Sequence, residues 1–80
     1  MNKIILYTTL GCHLCDYAKD LLWPALQTHH LRLEEVDVAD SDQLMSRFGT
    51  AIPVVENPRQ NTLLYWPFSA EQLDNFLVET

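Results

Sequence analysis

Tyr7-Thr8-Thr9-Leu10-Gly11-Cys12-His13-Leu14-Cys15-Asp16-Tyr17-Ala18-Lys19 carries the two cysteines of the chain and marks a change of rhythm in it. Before it, Lys3-Ile4-Ile5-Leu6-Tyr7-Thr8 is short, bulky and partly β-branched, the composition of a buried strand. After it, the apolar positions 14, 15, 18, 21, 22, 25 and 26 recur at helical spacing. Gly11 lies at the bend, where backbone freedom is useful. Cys12 is therefore expected at or beside the first helical residue.

That placement has a chemical consequence. The first N–H groups of a helix lack internal partners, and the helix dipole puts roughly half a positive charge there. A thiolate is stabilised at such a position, where cysteine pKa values fall from about 8.5 to roughly 3.5–7.5. Cys15, nearly one turn further in, is more shielded and within reach to close a disulfide. The pattern points to an attacking Cys12 and a resolving Cys15.

Zinc is the competing use of C-x-x-C, and a structural zinc needs four ligands. The chain has no second C-x-x-C, and His29 and His30 are adjacent rather than three to five apart. Burial of both cysteines as ordinary core residues is the other alternative. A C-x-x-C beside a strand–helix–strand pattern is the spacing of a redox pair.

Composition narrows the field. Eighty residues suit one small domain with one core, expected over residues 1–80, and the 48% apolar content is enough to build it. A net charge of −6 argues against a nucleic-acid surface. No stretch approaches the roughly 20 apolar residues of a membrane helix. Lys3 followed by an apolar run ending in Leu10-Gly11-Cys12 has a faint likeness to a lipoprotein signal. That run is too short and is broken by Thr8 and Thr9, and cleavage would remove the first strand. A cytoplasmic protein is expected.

The first helix should span residues 12–28, with Pro24 kinking it or ending it early. Tyr17 and Trp23 are expected to pack partly buried, and Asp16 is a candidate proton shuttle for the thiols. Residues 31–38 alternate into a second, more exposed strand, irregular at Glu34-Glu35. Asp40 with Gln43 reads as a capping box, opening a helix with Leu44, Met45 and Phe48 on one face that stops at Gly49. Pro53 opens a third strand, Asn57-Pro58-Arg59-Gln60-Asn61 is a turn, and residues 62–66 form a fourth. Ser69 and Gln72 make another capping box, with Phe68 and Leu73 as a hydrophobic staple, before a last helix over residues 70–78. The class is α/β, in the order β-α-β-α-β-β-α.

This order, the C-x-x-C after the first strand and Ile52-Pro53 opening the third together resemble the thioredoxin fold in its short, glutaredoxin-type form. Gly11-Cys12-His13-Leu14-Cys15-Asp16, Leu22-Trp23-Pro24-Ala25-Leu26, Ile52-Pro53-Val54 and Trp66-Pro67-Phe68 look closest to the small bacterial glutaredoxin-like proteins. The resemblance covers nearly the whole chain. It implies a mixed four-stranded sheet of order 2-1-3-4, the third strand antiparallel to the first, with one helix on one face and two on the other. It also implies a cis Pro53 facing Cys12, and an Ile52 that offers its N–H and C=O to an extended thiol substrate. Two departures stand out. His13-Leu14 replaces the Pro-Tyr type of pair usual between glutaredoxin cysteines, and the Gly-Gly turn that holds glutathione is replaced by Trp66-Pro67-Phe68-Ser69-Ala70-Glu71-Gln72, which has no glycine.

The expected function is thiol–disulfide exchange in cell redox homeostasis. Cys12 and Cys15 act catalytically, and Ile52, Pro53, His13 and Leu14 bind substrate, with Leu10 on an apolar rim. The expected partners are protein or small-molecule disulfides, with a thioredoxin-reductase-like electron donor and the protein acting as a monomer. No bound cofactor or metal is expected, and glutathione is disfavoured as co-substrate. The alternative is a non-catalytic module that holds an iron–sulfur cluster or zinc between subunits through Cys12, or that serves protein interaction alone.

Overall fold

The computed structural model describes residues 3–78. The strands are β1 (Lys3–Thr8), β2 (Arg32–Asp37), β3 (Val54–Asn57) and β4 (Thr62–Tyr65), and the α-helices are α1 (His13–Thr28), α2 (Asp42–Phe48) and α3 (Ala70–Leu77). Among the described residues, one 3₁₀ turn, Val38–Asp40, is added to the expected order. The sheet runs β2-β1-β3-β4. β1 and β2 are parallel with Thr8 opposite Asp37, whereas β3 is antiparallel to both β1 and β4, with Tyr7 opposite Val54.

Period-two alternation in β1 divides the core between the faces of the sheet. Ile4 and Leu6 point to one side, where they pack with Ala18, Leu22 and Leu26 of α1, Val55, and Leu73 and Leu77 of α3. Ile5 and Tyr7 point to the other, against Val38, Phe48 of α2 and Val54. Two helices therefore cover one face and one covers the other. Tyr7 stacks on Phe48 with ring centroids 4.5 Å apart, and its hydroxyl donates to the Glu56 carboxylate. Burial and then that hydrogen bond push the Tyr7 phenol up to about 12.

Helix α1 passes through Pro24 and continues to Thr28, so the proline does not end it early. Pro24 lies on the exposed side, where water can take the place of the missing donor. Thr28 Oγ1 donates back to the Pro24 carbonyl at 3.0 Å. Tyr17 and Trp23 are exposed rather than partly buried, because the sheet-facing stripe is Cys15, Ala18, Leu22, Ala25 and Leu26. The helix closes with a motif that has no sequence signal. His30 takes a positive φ of 56°, its N–H donates to the Gln27 carbonyl at 3.3 Å, and Leu31 N–H donates to Leu26 at 2.9 Å. This is a Schellman ending with histidine in the place usual for glycine.

The start of α2 differs from expectation by one residue. Asp37 caps the 3₁₀ turn by accepting from Ala39 N–H at 2.9 Å, and that turn consumes Asp40. Ser41 then caps α2, its hydroxyl accepting from Leu44 N–H at 3.3 Å. Gly49 ends α2 in a right-handed conformation rather than a left-handed one. The hairpin turn is as read: Asn57 Oδ1 accepts from Arg59 N–H at 3.1 Å, and Asn61 supplies a positive φ. At α3, Ser69 and Gln72 form the full reciprocal capping box, and Phe68 and Leu73 share one buried cluster. The Ile52–Pro53 peptide is cis, and so is Trp66–Pro67, which the sequence reading did not anticipate.

Candidate active site

β1 ends at Thr8, and the chain turns through Gly11, whose φ of 78° is accessible to glycine without strain. That turn delivers Cys12 as the N-cap of α1, in extended conformation at φ −84° and ψ 103°. Its Sγ occupies the place an N-cap oxygen normally takes and accepts from Cys15 N–H at 3.1 Å. The Cys12 carbonyl accepts from Asp16 N–H at 3.3 Å. An orphan helix donor therefore points at the Cys12 sulfur, which is the geometry that favours negative charge there.

Cys12 and Cys15 are joined as a disulfide, with their Cα atoms 5.2 Å apart, inside the ordinary range for such bridges. The two sulfurs differ in access. Cys12 is half-buried, whereas Cys15 is 1% exposed and belongs to the core. A group approaching from solvent reaches the Cys12 sulfur first. His13 and Leu14, between the cysteines, are exposed, and Leu10 is 93% exposed just before them.

On the β3 side, the register that sets Tyr7 opposite Val54 puts Pro53 level with the end of β1, from which the Cys12 loop departs. Pro53 is buried and Ile52 half-buried. Ile52 N–H donates to the Phe48 carbonyl at 3.1 Å, so that half of the expected substrate-binding pair is already engaged within the protein. The Pro53 carbonyl accepts from Trp66 N–H at 3.2 Å.

On the β2 side a cleft of about 390 Å³ opens against Cys12, walled by residues 8–12, Asp16 and Lys19 of α1, and Glu35 and Asp37 of β2. Lys19 Nζ lies 3.2 Å from Glu35 and 3.9 Å from Asp16. Asp16 and Lys19 are four and seven residues beyond Cys12, on the same helical face. Glu35 and Asp37 were missed as site residues. Their signal was parallel pairing, since a strand parallel to β1 must bring its own C-terminal end beside the Cys12 loop. Among the described residues, no three His, Cys, Asp or Glu side chains are grouped to hold a metal ion. A metal on Cys12 and Cys15 would need ligands from elsewhere. Nor is any helix among the described residues long and apolar enough to cross a membrane.

Fold and cysteine geometry together define a small thioredoxin-like domain with a C-x-x-C pair at the first helix N-terminus. Residues 3–78 match the family described as Glutaredoxin-like domain (DUF836), and the chain belongs to that family. A crystal structure of protein XcR50 from X. campestris is 33% identical, with 92% of this chain and 93% of that one covered and a TM-score of 0.77. The solution structure of XcR50 gives 34% identity, coverage of 96% and 92%, and a TM-score of 0.80. Protein Ne2328 from Nitrosomonas europaea, at 19% identity, shares the fold with a TM-score of 0.82 over 96% of this chain and 92% of that one. No curated protein matches the chain.

Proposed function

We propose that the protein is a dithiol–disulfide oxidoreductase. The observation that carries this reading is the asymmetry of the cysteine pair. The Cys12 sulfur is accessible and receives a helix N-terminal N–H, while Cys15 is held in the core directly behind it.

In the reduced protein the Cys12 thiolate attacks one sulfur of a substrate disulfide. That S–S bond breaks, a mixed disulfide forms on Cys12, and the first substrate thiolate departs. The Cys15 thiolate then attacks the Cys12 sulfur, expels the second substrate thiolate and closes the Cys12–Cys15 disulfide. Two electrons pass from the protein to the substrate, and the two departing thiolates take up protons. An external dithiol or a flavoprotein reductase of the thioredoxin-reductase type restores the dithiol. Leu10, Leu14 and Ile52 provide an apolar rim for a polypeptide substrate, with the buried Pro53 next to Ile52 in the chain. Because Ile52 N–H is bonded to Phe48, backbone recognition there falls to the Ile52 carbonyl.

Glutathione is a poor fit. The glutaredoxins that the chain resembles hold it through backbone groups of a Gly-Gly turn before the last helix. Here Phe68 fills that region and is buried. Ser69 N–H donates to Gln72 Oε1 at 2.8 Å, and Gln72 N–H donates to Ser69 Oγ at 3.1 Å, so those donors serve the helix cap.

The test is steady-state reduction of a generic disulfide, with either glutathione and its reductase or a thioredoxin reductase supplying electrons. Turnover with the reductase, together with slow turnover with glutathione, is expected. No turnover with either donor, or with an added dithiol, would refute the oxidoreductase reading. Glutathione-driven rates equal to those of an ordinary dithiol glutaredoxin would refute the claim about glutathione.

A further inference from the structure

The two sides of Cys12 differ in charge. On the β3 side, Thr50-Ala51-Ile52-Pro53 carries none. On the β2 side, the cleft sets the single ammonium of Lys19 against the carboxylates of Asp16, Glu35 and Asp37, leaving a formal charge of −2 in its wall. Lys19 is spent on Glu35 and, more distantly, on Asp16. The Asp37 carboxylate is oriented by the Ala39 N–H, and among the described residues no ion pair within 4.0 Å joins it to Lys19, whose contacts are with Glu35 and Asp16. His13 is the other titratable neighbour, exposed on the first turn of α1. Cys12 itself lines the cleft, so whatever exchanges with its sulfur sits in this field.

We infer that the β2-side cleft makes Cys12 select disulfides that carry positive charge beside the bond to be broken, such as those flanked by lysine, arginine or an alkylammonium. The inference rests on the oxidoreductase reading and assigns its substrate class, with Asp37 as the main specificity determinant. A cationic arm reaching into the cleft approaches Asp37 while its disulfide meets Cys12. An anionic arm meets like charge at the same place. The cleft is open to solvent, so the effect is strongest at low ionic strength, where screening is weak.

The experiment is single-turnover oxidation of the fully reduced protein, which needs no added reductant. Three symmetric disulfides are compared: those of cysteamine, with two ammonium groups; of 2-mercaptoethanol, uncharged; and of 3-mercaptopropionate, with two carboxylates. Each rate is divided by the rate of the same disulfide with free dithiothreitol, which removes intrinsic reactivity. At low salt the normalised rates should fall from cationic to anionic by roughly tenfold or more, and converge in molar salt. Asp37→Asn, which keeps an acceptor for Ala39 N–H, should shrink the ratio about threefold, while Lys19→Met should widen it. Asp74→Asn changes net charge equally at the far end of α1, roughly 24 Å away along the helix, and should leave the ratio unchanged. Equal normalised rates at low salt would overturn the inference alone, as would the same shrinkage in Asp37→Asn and Asp74→Asn. Failure of all three disulfides to oxidise the protein would overturn the oxidoreductase reading and this inference with it.

Discussion

Helix α1 meets the same physical problem at both ends and solves it differently. At the C-terminal end, carbonyls need donors, and the chain supplies them from its own backbone by placing His30 in a left-handed conformation. His29 adds a 3.3 Å contact from its Nε2 to Asp74 of α3. Everything at that end serves stability. At the N-terminal end the donors are orphaned, and the group that receives one is a sulfur whose charge changes with redox state. An ordinary oxygen cap would be fixed. The contrast separates the capping that holds the fold from the capping that, on the proposed function, supports reactivity.

Substitution of the reactive cap should have the largest effect. Cys12→Ser keeps a competent N-cap, since serine is a favoured capping residue, and should bring disulfide turnover to background with little loss of stability. Cys15→Ser should still complete the first exchange and accumulate a mixed disulfide, visible as one adduct mass on the intact protein. If Cys12→Ser retained turnover, the assignment of the reactive end would fail.

Between the two ends lies the part of α1 that serves both. Leu22 is fully buried against the sheet, and Leu22→Ala should cost about 2–5 kcal/mol in denaturant unfolding. A smaller loss, under about 1 kcal/mol, would mean that α1 is held by its caps rather than by its apolar face.

The stabilising end can also be improved. At His30 the left-handed conformation costs a non-glycine residue about 1–2 kcal/mol, part of which glycine returns through the entropy of the unfolded chain. His30→Gly should therefore raise stability by about 1 kcal/mol and leave exchange rates untouched. A destabilised variant would show that the His30 side chain contributes more than its backbone costs. The effect at α3 should be of similar size and opposite sign. Ser69→Ala breaks a complete capping box and should cost about 1 kcal/mol.

The smallest effect concerns pH. The Tyr7 phenol, raised by burial and by its bond to Glu56 from 10.0 to about 12, binds its proton more tightly folded than unfolded. Its contribution is fully present below pH 10 and is lost as pH rises toward 12. Stability should decline across that window and the decline should flatten in Tyr7→Phe, as read by alkaline thermal melts. An unchanged slope would mean that the Tyr7–Glu56 contact does not depend on the Tyr7 proton.

Most of the scaffold is legible in the chain because its signals are local. The bulky, partly β-branched run Ile4-Ile5-Leu6-Tyr7, helical spacing from Cys15 to Leu26, and the Ser69–Gln72 box each announce an element without reference to the rest. Cys12 and Cys15 are equally plain. Elements decided by competition were harder to see. Asp40 carries a capping signature, yet Asp37 captures the preceding turn and passes the cap to Ser41. His30 carries no signature, since its left-handed conformation is imposed by the return of Leu31 to the core. Tyr17 and Trp23 are large aromatic residues that suggest packing, but they lie outside the stripe that meets the sheet. Glu35 and Asp37 join the site through strand pairing alone, which no short motif encodes. The cis state of Ile52–Pro53 followed from resemblance; that of Trp66–Pro67 had no cue.

The central claim is that the helix end makes Cys12, and not Cys15, the nucleophile. Alkylation rates measured against pH on Cys15→Ser, which leaves Cys12 free, and on Cys12→Ser, which leaves Cys15 free, test it most directly. The account predicts that Cys12 reacts faster at about pH 6.5 and titrates below Cys15, because one sulfur receives an orphan N–H and is partly open to solvent while the other is buried. Faster alkylation of Cys15 at that pH would contradict the account.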